Sequence, residues 1–395
     1  MKTLVELYDT RAIENVIGPE VFKPEKVIYM CPDEVLRDGA VQKNIRGFFK
    51  MRGLDIETEF LSSSIYKTDK LLNQLRKIGE KNGHLTIDVS GGTDAALFAA
   101  GMYCEETNAS AFTYSRKKNM FYDIQNASFA DSLPCKLEYS VEDFFAMTGG
   151  KLRKGRVDNS ILSNYLNLMD PFFELFCEYR AIWSDQIVFI QRISQGGNDG
   201  PVGLFAEGET VQKGEHGGKV RANFSFLKKL EQIGMISKLK YDEDVSVSFY
   251  FKDKQVRSWL RDVGSVLELY MYKACIDSGV FNDVVNSAVV DWNVGTGNMN
   301  VSNEIDVMAS RGVIPLFISC KACEVRTEAL NELAILKDRF GGKGAKAAIA
   351  TTEPCNAAAR HRAAQLGIAV IDLEELQSKK AAERIQVIMK VREVL

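Results

Sequence analysis

The sequence predicts an α/β protein in three parts, and three patterns carry that expectation. Apolar runs alternate with helix-period segments through the first third. A helix followed by a hairpin marks the middle. The last third reads as an antiparallel meander completed by an alternating helix–strand layer. The parts are expected at residues 1–150, 151–256 and 257–395.

In the first part, Lys26–Met30, Leu54–Leu61, Leu85–Val89 and Ala109–Tyr114 read as strands, with Asp69–Glu80 and Asp94–Tyr103 as intervening helices. That alternation predicts a mostly parallel, Rossmann-like sheet with helices on both faces. In the second part, Lys151–Arg156 is a basic run, Ile161–Ile193 an aromatic-rich helical stretch, and Ser194–Gly218 a long Gly-rich loop. Phe224–Gly234 has helical spacing and ends on glycine. Ile236–Lys240 and Val245–Phe251 form a hairpin about Asp242–Asp244, so helix plus hairpin is winged-helix-like. In the third part a helix from Gln255 to Ile276 precedes strands Ser287–Trp292, Asn303–Ala309 and Val313–Cys320, with turns at Gly295–Asn298 and Arg311–Gly312. Helix Glu324–Phe340, strand Ala345–Thr351, helix Cys355–Leu366 and strand Ile368–Asp372 follow.

Composition narrows the function. The 395 residues are 46% hydrophobic, enough for a large core. A net charge of −3 excludes a protein that coats nucleic acid by bulk charge, so phosphate contacts must be local. No apolar run reaches the ~20 residues of a membrane span, and the N-terminus lacks a signal-peptide pattern. Eight scattered cysteines read as reduced thiols, so a cytoplasmic protein is expected.

Two clusters carry chemistry. Glu304 and Asp306 lie two apart on one strand and share a face; Ser319 and Lys321 share a face of the next strand. Pairing across Arg311–Gly312 brings those faces together. Glu268 sits on the preceding helix, four residues after Gly264. Carboxylates holding a divalent ion beside a lysine suit phosphodiester hydrolysis, although such residues on a strand also make an ordinary solvated edge. The second cluster is Ser90-Gly91-Gly92-Thr93-Asp94, between a strand and a helix. Its backbone N–H groups, with the Ser90 and Thr93 hydroxyls, suit an anion; a plain tight turn with Asp94 as helix cap is the alternative.

Helix with Glu268, strand, Glu304–Asp306, then a strand ending Ser319-Cys320-Lys321 resembles the restriction-endonuclease-like PD-(D/E)xK core. The resemblance implies Asp306 as central metal ligand, Glu268 and Glu304 as supporting ligands, the Cys320 carbonyl completing the sphere, and Lys321 as catalytic lysine. Ser319 stands where that core usually has an acid, so either Glu304 compensates or metal affinity is weak and manganese supports activity better than magnesium. Together the opening ENVIGPEVFKPEKVIYMCPDE, the SGGTD turn and the closing NEIDVMASRGVIPLFISCK resemble the CRISPR-associated Rossmann-fold (CARF) nucleases of type III CRISPR antiviral defence. That resemblance implies a homodimer that binds a cyclic oligoadenylate across its two-fold axis, the tetra-adenylate or the hexa-adenylate. It further implies ligand-activated, metal-dependent cutting of single-stranded DNA or RNA, or of duplex DNA. Ligand contacts are expected from Ser90, Gly91, Gly92, Thr93 and Asp94 and from Cys31, Pro32 and Asp33, with Ser62–Ser64 and Arg116–Lys118 placed by position and chemistry rather than by motif. The rival expectation is a non-catalytic, ligand-responsive winged-helix regulator.

Other motifs carry less. Cys320 and Cys323 form a C-x-x-C with no second pair at zinc spacing. Gly341-Gly342-Lys343-Gly344 lacks P-loop spacing and reads as a helix stop. Trp259, Phe172 and Phe173 read as core, and Lys228, Lys229, Lys238 and Lys240 as a solvated basic face.

Overall fold

A computed structural model describes residues 1–37, 39–64, 66–153, 158–195, 203–214, 217–291, 302–378 and 380–390. The expected turn at Gly295–Asn298, the end of the basic run and part of the Gly-rich loop lie outside these residues.

The N-terminal sheet contains strands β1 (Thr3–Leu7), β2 (Lys26–Cys31), β3 (Glu57–Ser62), β4 (Leu85–Asp88), β5 (Ser110–Ser115), β6 (Met120–Gln125) and β7 (Leu133–Pro134). Their order is β3-β2-β1-β4-β5-β6-β7, with β1 to β5 parallel and β6 and β7 antiparallel. The expected strands and helices are present, but the central strand is one the sequence reading passed over. All five residues of β1 are buried, including Thr3 and Glu6, so two polar residues hide a strand covered on both faces.

Glu6 is 2% exposed and shares a hydrogen bond with Asp88 at the end of β4. Gly18 packs on the pair, and a β-carbon there would collide with Asp88 Oδ2. Burial is the main reason the Asp88 carboxyl is pushed up to about 7; hydrogen bonds from the Ser90 hydroxyl and N–H oppose it. Burial likewise raises Glu6, with Asp88 adding to it.

Strand β8 (Lys151–Arg153), at the start of the expected second part, pairs with the C-terminal sheet. The middle region packs helices Trp183–Ile193 and Phe224–Gln232 against a three-stranded sheet, and helix Leu166–Tyr179 packs on Phe224–Gln232. That sheet includes β9 (Phe205–Glu209), inside the segment expected to be loop; β10 (Val211–Lys213) and β11 (Lys219–Arg221) form a ribbon beside it. The expected hairpin is β12 (Ile236–Asp242) and β13 (Ser246–Phe251), and β9 pairs with β13. Its lysines find partners within the chain: Lys228 and Lys238 lie over Tyr241 and Tyr250, and Lys229 pairs with Glu178.

The expected helix from Gln255 to Ile276 is broken into Lys254–Trp259 and Ser265–Ser278. The latter packs beneath β14 (Asp283–Asp291), β15 (Ser302–Arg311) and β16 (Ile314–Lys321), the expected meander. Parallel strands β17 (Lys346–Thr351) and β18 (Ile368–Ile371) complete the sheet in the order β18-β17-β16-β15-β14-β8. Helix Ala381–Met389, not expected, packs on Ser265–Ser278. One apolar core runs through all three parts, joining Leu4 and Phe145 to Phe172, Trp259, Leu330 and Ile385.

The raised Asp88 and Glu6 carboxyls give a stability test. The folded chain holds these protons where the unfolded chain releases them, so their contribution falls as pH rises from the ordinary carboxylate range through about 7. Asp88→Asn should raise Tm at pH 8 by roughly 5 °C and change it much less at pH 5, measured by thermal denaturation.

Candidate functional site

The parallel strands reverse their order of progression between β1 and β4, so the loops leaving those strand ends diverge and open a crevice. A cavity of about 420 Å³ occupies it. Leu7–Arg11 after β1, Pro32, Glu34 and Val35 after β2, Ser63 and Ser64 after β3, and Gly92, Thr93 and Ala96 after β4 line it. Its walls include a helix N-terminus and the cationic Arg11, features that attract phosphate.

The expected contact residues fall into two groups. Pro32, Gly92 and Thr93 line the cavity, as do Ser63 and Ser64. Cys31 is fully buried, and burial pushes its thiol up to about 12. Exposed Asp33 accepts a hydrogen bond from Ser62 Oγ. Ser90 pins the turn: its N–H donates to Asp88 Oδ1 at 2.8 Å and its hydroxyl accepts from Tyr114 N at 2.7 Å. Gly91 lies so close to β1 that a β-carbon would stand 3.0 Å from the Leu7 carbonyl oxygen. Thr93, rather than Asp94, caps the helix by accepting from Ala96 N; Asp94 is its first, exposed residue. Arg116 is buried against Glu14 at 3.1 Å and does not line the cavity.

The loop Tyr8–Arg11 was missed with β1. Asn15 fixes it, accepting from Asp9 N at 2.9 Å and donating to Asp9 O at 2.8 Å, while Asp9 Oδ1 accepts from Arg11 N. A polar YDTR directly after a short β-prone run was the available signal.

In the C-terminal sheet the hairpin register pairs Val307 with Ile318 and Arg311 with Ile314. Continued outward, it sets Asp306 against Ser319 and Glu304 against Lys321, all on one face. These four line a small cleft of about 50 Å³. Asp306 Oδ2 accepts from Cys320 N at 2.6 Å and from Ser319 Oγ at 3.3 Å. Burial raises the Asp306 carboxyl above its ordinary range; the Cys320 N–H and Lys321 hold it down, and Glu304 pushes it up. Burial, with Asp306 and Glu268 nearby, also drives the Cys320 thiol well above its usual range, which leaves it protonated.

Glu268 is half-buried on helix Ser265–Ser278, its carboxylate 3.5 Å from where a Gly264 β-carbon would stand, and it does not line the cleft. The cleft instead takes Glu332 from helix Thr327–Gly341, with Ala329, Leu333 and Leu336. No sequence motif announced Glu332; only folding that helix over β16 exposes its proximity. Among the described residues no three His, Cys, Asp or Glu side chains stand close enough to hold a metal. The pair Glu304 and Asp306 nevertheless suits a hard divalent ion of the magnesium type, which is commonly held by one or two carboxylates with water and substrate oxygens.

Glu304 is itself positioned. Ser287 Oγ donates to Glu304 Oε1 at 2.6 Å from a residue with φ of 51°, a left-handed conformation that costs a non-glycine residue about 1–2 kcal/mol. Asn159 holds that distorted stretch of β14, bonding both the N–H and the carbonyl of Asn286 at 2.7 and 2.9 Å.

No family model and no curated protein matches this sequence. Solved structures do. The chain resembles protein VC1899 from Vibrio cholerae with a TM-score of 0.73 at 15% identity, covering 98% of each chain. It resembles Can2 from Sulfobacillus thermosulfidooxidans, solved in complex with cyclic tetra-adenylate, with a TM-score of 0.71 at 17% identity, covering 99% of this chain and 100% of that one. The chain shares their fold from end to end. The likeness to Can2 therefore takes in the Rossmann-like sheet, the middle region and the C-terminal sheet alike.

Ser287→Ala should free the Glu304 carboxylate while leaving the core intact. The expected outcome is a Tm changed by less than about 3 °C, read by thermal denaturation.

Proposed function

We propose that this protein is a metal-dependent nuclease of type III CRISPR defence, switched on by a cyclic oligoadenylate bound in the N-terminal crevice. The observation that carries the reading is the presence, in one chain with the end-to-end fold of Can2, of a phosphate-suited crevice and a separate carboxylate–lysine cleft. Each part of the reading has a physical basis in the residues.

A crevice of about 420 Å³ suits one or two nucleotides better than a whole ring. A ring shared by two crevices across a two-fold axis meets that limit, and cyclic tetra-adenylate is the ligand in Can2. Arg11, the Thr93 hydroxyl and free N–H groups at the start of helix Asp94–Thr107 would face its phosphates. Phe98 and Met102, a helical turn apart on that helix, are 66% and 38% exposed. Such an apolar strip beside the crevice is suited to packing against a second copy of the chain.

In the cleft, Asp306 and Glu304 would hold the divalent ion, with the Cys320 carbonyl and Glu332 beside them. The ion would supply an activated water and neutralise charge on the phosphorane. Asp306 is held in place by the Cys320 N–H and Ser319, so its second oxygen is free to face outward. Lys321 lies opposite Glu304, where its ammonium can orient the attacking water or meet charge building on the phosphate. With serine at 319 in place of an acid, manganese should support cutting better than magnesium. Single-stranded DNA or RNA is the favoured substrate.

Asp306→Ala and Lys321→Ala should each lower ligand-activated cutting by at least ~1,000-fold without loss of Tm or of ligand binding. Unimpaired cutting by both variants would contradict the reading. Phe98→Glu should shift the protein from dimer to monomer in light scattering and weaken cyclic tetra-adenylate binding at least ~10-fold by calorimetry.

A further inference from the structure

The crevice and the cleft belong to different sheets, yet one helix touches both. Helix Thr327–Gly341 supplies Ala329, Glu332, Leu333 and Leu336 to the cleft. Its other end, about 14 Å away along the axis from Glu332, meets the loop that lines the crevice. Arg11 Nη2 lies 3.7 Å from Asp338 Oδ1, and Lys343 Nζ lies 3.9 Å from Asp9 Oδ2; Arg11 and Asp9 both line the crevice. Arg116, 7% exposed, donates from Nη1 to the Gly341 carbonyl at 3.2 Å, capping the helix C-terminus, while its Nε stands 3.1 Å from Glu14. Two residues before Arg116, Tyr114 N donates to Ser90 of the crevice turn.

The Gly341–Gly344 run makes this joint. Gly342 has a φ of 65°, and a β-carbon there would stand 2.7 Å from Ile13 Cγ2 and 3.2 Å from Arg116 Nη1. A larger residue would hold the helix end away from the sensor loop. The run is thus more than a helix stop: it lets two domains meet at van der Waals distance around a buried cation.

We propose that helix Thr327–Gly341 transmits ligand binding to the cutting cleft, with Arg116 as the positioning residue that couples the helix to the sensor domain. The proposal rests on the reading of crevice and cleft given above. A ligand phosphate that draws Arg11 towards itself competes with Asp338 and Asp9 for the same cation. The helix end then shifts against Arg116, and Glu332 and Leu333 shift at the cleft. An α-helix in a packed core moves as a rigid body, so displacement at one end is felt at the other.

Two fold-safe variants test this. Arg116→Lys keeps a positive charge opposite Glu14 but withdraws the guanidinium from the Gly341 carbonyl. Asp338→Ala with Lys343→Ala removes two exposed partners of the crevice loop, which are 72% and 53% exposed. Cutting, cyclic tetra-adenylate binding and amide hydrogen exchange are measured with and without ligand. In the wild-type protein, ligand should change exchange along 327–341 as well as in 8–15 and 90–96. In both variants that change should stay within the sensor segments, and activation should fall at least ~5-fold while ligand binding is kept, with Kd unchanged or tighter once Asp338 no longer competes for Arg11. Wild-type exchange and activation in the variants would overturn the proposal. A wild-type protein that binds ligand but cuts nothing contradicts the nuclease reading alone, and exchange along 327–341 still decides the coupling. A wild-type protein that does not bind the ligand overturns both.

Discussion

The register of one hairpin governs the chemistry of this molecule. Pairing Val307 with Ile318 across the turn at Gly312–Val313, one residue on from the expected Arg311–Gly312, determines that Glu304, Asp306, Ser319 and Lys321 project from the same face. Because strand side chains alternate, a slip of one residue on either strand would send half of them into the core. Buried Val307, Met308, Phe317 and Ile318 fix the register, so the apolar core specifies the polar site. Helix Thr327–Gly341 then completes a cleft whose base the hairpin has already set, and Ser287 of β14 holds Glu304.

The N-terminal crevice obeys a different constraint. In a doubly wound sheet a pocket forms where the strand order reverses, which here places it beside β1. The loop after β1 lines the crevice and also touches the end of the helix that reaches the cleft. Crevice and cleft are therefore linked through one helix without sharing a cavity, and one apolar core joins the parts.

Local pattern made most of this legible in the sequence. The strands β2, β4 and β5, the helix–hairpin of the middle region and the meander were readable because their apolar period is clean. Glu304, Asp306, Ser319 and Lys321 could be grouped because i, i+2 spacing and a two-residue turn are sufficient to place them. What escaped depended on long-range packing. Strand β1 carries Glu6, whose carboxyl is raised by burial and shares a hydrogen bond with Asp88, a pairing that only the folded sheet creates. Strand β9 hides in a glycine-rich segment and is defined by its partner β13. Glu332 has no motif, and Ser287 matters only because the backbone there is left-handed. The Ser90 hydroxyl could be read as a phosphate donor in sequence, but it donates to the buried Asp88 carboxyl and accepts from Tyr114 N.

The central claim is that a nucleotide in the crevice governs cutting at a cleft in another domain. The most direct measurement is the cleavage rate of labelled single-stranded DNA and RNA by the purified chain with manganese, with and without cyclic tetra-adenylate. The account predicts cutting of at least one of the two that rises by an order of magnitude or more on adding the ligand and disappears on chelating the metal. Cutting at the same rate in the absence of ligand, or tight ligand binding with no cutting of either strand, would contradict it.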